Sequence, residues 1–421
     1  MSSAQPRAST FPITTDGTVL LHIDFLLTGI VMTFLGPMLP SLSARWSLND
    51  AQSGSLIFTE FFSSMLGMLF SGASVQRLGY RKTLMIGLTL MPIGVALLAF
   101  GPWLWEIFCI AIFGVGYGLT TPAGNLRTAE INPAGSASAL SVINAVWGVG
   151  AMSSPFLVAF ALRLHQPRLF FFGTALALGI LLSAFALSRF VPDTQVEMDP
   201  ARDEPKSLWQ IRILPLICVL FFLYVGTETC FGNWVAMYAR RMVPSDHSIG
   251  TRMPALFWGA LLAGRAVAPL ALKFTRETAV ASLGLMLALA GGAALVSARG
   301  MGFIAAGSVF AGLGLASIYP ISVSLLSGWF GKRARRASGA VFSSGNIGGA
   351  VMPLMVGGIS TLTGSLRLGF IVPLLGVAFM LGFYLLQGSF VLPFADEATE
   401  APGGQDTGKR PRLGSPEDAC S

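Results

Sequence analysis

Four charged side chains, Asp24, Glu60, Glu228 and Arg265, stand inside otherwise apolar runs of the 421-residue chain. Runs of about 20 apolar residues are the length at which a helix crosses a bilayer. A charge at the centre of such a helix costs about 2.5–3.5 kcal/mol on insertion scales, so each must face a cavity, a partner or water. Glu228 and Arg265 fall on consecutive runs, which predicts an ion pair whose carboxylate a proton or polar solute can compete for. The competing expectation is a purely structural pair. Asp24 and Glu60 lie nearer the ends of their runs, where snorkelling to headgroups or water is the alternative to a coupling role.

Amides and aromatics recur in the same runs: Asn125, Asn144, Trp147, Tyr224, Asn233, Trp234, Tyr319 and Asn346. An amide in hydrocarbon is costly unless it is bonded. Amides and hydroxyls flanked by flat aromatic faces suit a ring-shaped solute with hydroxyl groups, which makes these eight residues, with Glu228, the candidate substrate-binding set. Hydrogen bonding between helices is the other use of the same side chains.

Other chemistries lack their residues. His22, His165 and His247 are far apart, and Cys109, Cys218, Cys230 and Cys420 are scattered without metal-ligand spacing. The expectation is no metal, no cofactor and no enzyme activity. A phosphate-binding Gly-Lys-Ser or Gly-Lys-Thr loop is missing, which argues against ATP as an energy source.

The elements that position these side chains follow from composition. Hydrophobic residues make up 53% of the chain against 11% charged, with a mean hydropathy of +0.69, so lipid must cover much of its surface. With no water in the bilayer core, each run closes its own backbone bonds, and an all-α membrane fold follows. Twelve spans are expected, at 18–40, 52–75, 83–101, 104–127, 137–163, 169–191, 211–237, 252–272, 277–298, 301–327, 337–361 and 366–392. Residues 1–17 form a polar tail, 18–191 the first six-helix bundle, 192–210 a charged linker, 211–392 the second bundle and 393–421 a disordered tail.

The two bundles match each other. A shift of about 198 residues brings Gly114, Gly116, Pro122, Gly150 and Pro155 onto Gly312, Gly314, Pro320, Gly348 and Pro353. Such paired repeats leave a seam near mid-membrane that can face either side. Basic residues gather in short loops: Arg77, Arg81 and Lys82, then Lys273 and Arg276, then Lys332, Arg333, Arg335 and Arg336. By the positive-inside rule these loops and both termini are cytoplasmic, in a plasma or inner membrane. The net charge of +7 is split among such loops, which argues against a nucleic-acid partner.

Around the first of those loops, Gly72, Gln76, Arg77, Gly79, Tyr80, Arg81 and Lys82 resemble the signature of the major facilitator superfamily. Gln76 stands where the family usually carries an aspartate, which implies a cytoplasmic gating loop that is either weaker or relies on its bases alone. The stretch from Gly264 to Phe274 keeps only the glycine of this signature. The seventh span, from Tyr224 through Gly226, Glu228 and Gly232 to Trp234, and the eighth, with Phe257, Trp258, Gly259, Gly264 and Arg265, resemble the fucose permease group of sugar–proton symporters. Its proton-carrying carboxylates lie on the first and fourth helices, positions that match Gly36 and Thr121 here. Either coupling has moved to another carboxylate, or that proton site is unused.

The resemblance implies a monomeric secondary transporter of a small organic solute, a sugar or polyol moved with protons, with Glu228 as the coupling carboxylate and Arg265 as its partner. Two alternatives stand beside it. An exporter of drugs or amphipathic metabolites would line its cavity with some of the 31 phenylalanines and 17 methionines. A receptor or scaffold would keep the fold without an alternating pathway.

Overall fold

A computed structural model of the chain describes residues 15–132, 135–188, 213–242, 247–330 and 334–390. The expected linker 192–210, the tail 393–421, residues 1–14 and the loop bases Lys332 and Arg333 lie outside these. Among the described residues the first six spans are built from α1 (Thr15–Thr33), α2 (Leu35–Trp46), α3 (Asp50–Leu97), α4 (Trp103–Ile131), α5 (Ser136–Arg163) and α6 (Pro167–Leu187). The second six are built from α7 (Ile213–Met242), α8 (His247–Leu272), α9 (Glu277–Val296), α10 (Met301–Leu315), α11 (Ile318–Phe330), α12 (Ala334–Thr363), α13 (Leu366–Gly369) and α14 (Ile371–Phe390).

Among the described residues eleven stretches are long and apolar enough to cross a membrane, and one of them, α3, is long enough to cross twice. Helix α3 has 48 residues, about 72 Å at the standard rise and more than two hydrocarbon thicknesses. It folds back at Gly79, whose φ of 82° and ψ of 166° belong to a region that only glycine occupies without strain. The separate loop expected between the second and third spans is therefore a single-residue reversal. The expected spans 18–40 and 301–327 are each interrupted. Pro37 has no N–H for the carbonyl of Thr33, and α1 gives way to α2 there; Pro320 likewise fails the carbonyl of Ala316, between α10 and α11.

The repeat is visible in the packing. Helix α1 lies against α5 as α7 lies against α12, and α3 against α4 as α8 against α10. A Cβ at Gly150 would strike the Leu26 carbonyl on α1, and one at Gly348 the Phe222 carbonyl on α7. Small residues let the same pair of backbones approach in each half. Between halves, α3 packs on α12, α5 on α8 and α2 on α7. Large apolar side chains turn outward, among them Leu187, Leu362 and Phe379, a surface that lipid covers.

Candidate functional site

The seam between the halves holds three groups of polar side chains in different states of satisfaction. The first is on α7 and α8. Tyr224 and Glu228, one helical turn apart, point the same way. The Tyr224 hydroxyl donates to Glu228 Oε1 at 2.9 Å, and Arg265 Nη2 donates to the same oxygen at 3.0 Å and to the Tyr224 hydroxyl oxygen at 3.2 Å. The predicted ion pair is thus present, extended by a tyrosine that the sequence placed in the substrate set. The Tyr319 ring reaches in from α11, with its centroid 5.9 Å from that of Tyr224.

The second group lies on α3, α4 and α5 and meets the C-terminal half at one residue. Glu60 is fully buried and neither carboxyl oxygen has a hydrogen-bond partner. Trp258 Nε1 is also buried and unbonded, and Thr121 Oγ1 and Trp147 Nε1 have no partner but the Tyr117 hydroxyl. Tyr117 stands among them, within electrostatic reach of Glu60 and, across the seam, of Tyr319, with Thr121 and Trp147 beside its hydroxyl. The rings of Trp147 and Trp258 meet edge to face, centroids 6.0 Å apart, joining α5 to α8. Snorkelling is the expectation that fails here: neither Glu60 nor Asp24 reaches water, because neighbouring helices enclose both, and Asp24 likewise has two unbonded oxygens.

The third group clasps the halves at the end where α3 begins and α7 and α12 finish. Arg241 grips Asp50 with both terminal nitrogens, Nη1 to Oδ2 at 2.9 Å and Nη2 to Oδ1 at 2.5 Å. The Ser360 hydroxyl also donates to Asp50 Oδ2. The Ala51 N–H donates to Thr361 Oγ1 at 2.9 Å. A reciprocal cap, Asn49 and Gln52, fixes the start of α3 so that Asp50 sits on its first turn, where the helix dipole favours a carboxylate. None of these clasp residues was singled out from sequence, since charges at span ends look like ordinary loop residues. The legible signal was the Asn-x-x-Gln cap.

The remaining candidates divide. Trp234 is wholly buried beside Gly54 and Gly357, and its indole donates to the Pro353 carbonyl at 3.1 Å. Asn233 packs against Gly36 of α2 and donates to the Thr229 carbonyl at 3.2 Å. Asn144 Nδ2 donates to Asn125 Oδ1 at 3.3 Å and to the Leu140 carbonyl at 2.8 Å. Asn346 spans the seam, donating to the Phe342 carbonyl at 3.0 Å with Met68 Sδ at 3.5 Å. Around the Gly79 reversal, Gly72, Gln76, Arg77 and Lys82 are exposed. Arg81 Nη2 donates to the Ala186 carbonyl at 2.6 Å, placing a cation on the C-terminal end of α6 where the dipole welcomes it. Among the described residues no group of three His, Cys, Asp or Glu is placed to hold a metal ion.

Comparison with known proteins bears on this arrangement. The family model described as Major Facilitator Superfamily matches residues 23–242. A glucose/galactose transporter of Brucella abortus is 26% identical over 390 residues, covering 88% of this chain and 93% of its own. The solved structure of the nucleoside transporter NupG superposes with a TM-score of 0.75 at 12% identity, over 87% of this chain and 98% of that one. That of a D-xylose-proton symporter gives 0.67 at 18% identity, over 88% and 96%.

Proposed function

Because this chain belongs to the Major Facilitator Superfamily, we propose that it carries a neutral hexose or similarly hydroxylated solute across a plasma or inner membrane by alternating access, coupled to protons. The observation that carries the reading is the seam itself, where Tyr224, Glu228, Arg265 and Tyr319 of one half oppose Glu60, Tyr117, Thr121 and Trp147 of the other. Carboxyl, hydroxyl, guanidinium and indole groups beside flat rings suit a polyol. An exporter of amphipathic compounds calls for apolar walls, and a receptor has no use for unbonded polar groups at the seam. The glucose and galactose named for the Brucella relative supply the class of solute.

Glu228 is the coupling carboxylate in this reading. All its hydrogen bonds fall on Oε1, so a proton on this group loosens Arg265 and Tyr224 together and frees them for solute. By the positive-inside rule the basic residues Arg77, Arg81, Lys82, Lys273 and Arg276 support cytoplasmic termini, and with them an outer-face position for the Asp50–Arg241–Ser360 clasp. The clasp is then the outer gate, shut while the solute site communicates with the inside. The protein works as a monomer, each copy enclosing one seam. The test is uptake of labelled D-glucose and D-galactose into proteoliposomes with and without an imposed inward proton gradient. Gradient-driven accumulation is expected; a rate that ignores the gradient removes the proton, and no uptake of either sugar removes the solute class.

A further inference from the structure

Away from the seam, α7 and α14 pack together in one stretch and part in another. Toward the end where α7 finishes, the Phe370 ring fills the space beside α7, its centroid 6.2 Å from that of Phe231 and 5.1 Å from that of Tyr238. At mid-span the two helices close on each other, since a Cβ at Gly376 would stand 2.5 Å from Thr227 Oγ1. Toward the end where α7 begins they separate. Between Leu216 and Leu223 on α7 and Leu375 and Leu386 on α14 they leave a groove of about 570 Å³, lined only by apolar side chains and a glycine. Met380 lines it while fully buried, whereas Val219, Leu375, Phe379 and Leu386 are exposed along it. A Cβ at Gly382 would meet nothing within 4 Å, so the groove has room where that glycine lines it.

The groove opens on the surface that lipid covers, and its walls offer nothing to a polar ligand. Apolar walls facing a void forfeit their dispersion contacts, so an apolar occupant gains by restoring them. Shape decides which one. From Leu375 to Leu386 the groove runs about 16 Å at the standard helical rise, close to the ~15 Å of hydrocarbon in one leaflet. Its volume spread over that length gives a mean cross-section of about 36 Å², against about 80–110 Å² for a helix 10–12 Å across. A helix of a second copy is too thick for it, and a single hydrocarbon chain is not. The mouth also carries a marker. Trp329, next to last on α11, has its ring centroid 6.4 Å from that of Phe383 in the groove wall, and tryptophan favours the headgroup level of a bilayer. The groove thus runs from a headgroup-level indole to a closed end at mid-span. We propose that it binds one acyl chain of a phospholipid from the leaflet where α7 begins, the cytoplasmic leaflet on the topology proposed above. The site reads the chain and not the headgroup, and it does not depend on which solute is carried.

The experiment is native mass spectrometry of the full chain, purified in detergent, stripped of lipid and titrated with 1-palmitoyl-2-oleoyl-phosphatidylethanolamine. The parent is compared with Gly382→Leu and Ala378→Phe, which fill the groove, and with Gly173→Leu, a control on α6 where a Cβ likewise meets nothing within 4 Å. Thermal unfolding and gel filtration establish that each variant is folded, and either filling variant is decisive if the other is not. The parent and the control should each hold one lipid that survives release from the micelle. A leucine side chain takes the room of about two methylenes, so Gly382→Leu should weaken that binding about tenfold. Exchanging ethanolamine for glycerol in the headgroup should change it less than about twofold, since no polar side chain lines the groove. Equal lipid retention by the parent and the folded filling variants overturns the site, as does a parent that retains none. Retention that follows the headgroup overturns the acyl-chain assignment. A lipid-free parent dimer that Gly382→Leu dissociates gives the groove to a second copy instead.

Discussion

Two polar clusters face each other across the seam, and they differ in how far their bonds are already made. On α7 and α8, Tyr224, Glu228 and Arg265 bond to one another within 3.2 Å, and Arg265 Nε stays buried without a partner. On α3, α4 and α5, both carboxyl oxygens of Glu60 are buried and open, while Thr121 and Trp147 have the Tyr117 hydroxyl beside them. A closed network in a low dielectric holds geometry, whereas an open one stores unmet bonding capacity. One half thus holds a charge pair in place, and the other encloses a carboxyl group that has no partner. The clasp at Asp50 is a third solution: a pair bonded between halves, whose Arg241 side chain keeps 42% of its exposure and so remains sensitive to the solvent.

The largest test of this contrast is Arg265→Ala. Removing one partner from a buried pair costs about 3–5 kcal/mol when both are fully enclosed. Here Arg265 keeps 26% and Glu228 13% side-chain exposure, so a loss of about 1–3 kcal/mol in thermal unfolding is expected, with uptake abolished. Arg265→Lys should not restore uptake, because a point charge cannot reproduce the planar contact with both Glu228 and Tyr224. Loss of uptake without any loss of stability would mean that the pair does not hold geometry.

Next comes Glu228→Gln, which keeps the shape and removes the proton-exchanging group. Uptake along a pH series should become flat, while hexose binding falls less than in Trp147→Phe. A pH dependence equal to that of the parent would remove Glu228 from coupling.

Asp50→Asn has a smaller expected effect, about 0.5–1.5 kcal/mol on the balance between closed and open outer faces, since it removes charge but leaves Ser360 and the helix cap in place. Distance measurements between spin labels on the clasped end should show a three- to tenfold larger outward-open population. Raising salt should move the parent the same way, because Arg241 is partly exposed. An unchanged distribution would make the clasp incidental. The smallest effect belongs to Asn346→Ala. Its amide bonds chiefly within its own helix, so hexose affinity should stay within about twofold of the parent.

Much of this was legible in the sequence, for physical reasons that also mark where legibility ends. Apolar runs and the recurrence of Gly150 at Gly348 carry their meaning in spacing, so the all-helical membrane fold and the duplicated packing could be read. The Glu228–Arg265 pair was readable because charges in hydrocarbon have few options. The reversal at Gly79 was not, since a glycine beside charged residues looks the same in a loop and in a one-residue turn. Tyr117 escaped notice, and Thr121 stood out only as the neutral match to a carboxylate of the resembling group, because a hydroxyl in a membrane helix usually bonds to its own backbone, as Thr120 does to Gly116. Only coordinates reveal that Thr121 does not. Asp50 and Arg241 are 191 residues apart at span ends, and nothing local links them.

The central claim is that a hydroxylated solute binds at the seam and crosses with it. It is tested most directly by counterflow: proteoliposomes loaded with unlabelled D-glucose are diluted into labelled D-glucose, and the transient internal accumulation of label is followed. The account predicts an overshoot that unlabelled galactose suppresses and that Trp147→Phe reduces. Parent protein that is folded and inserted but shows no overshoot would contradict it.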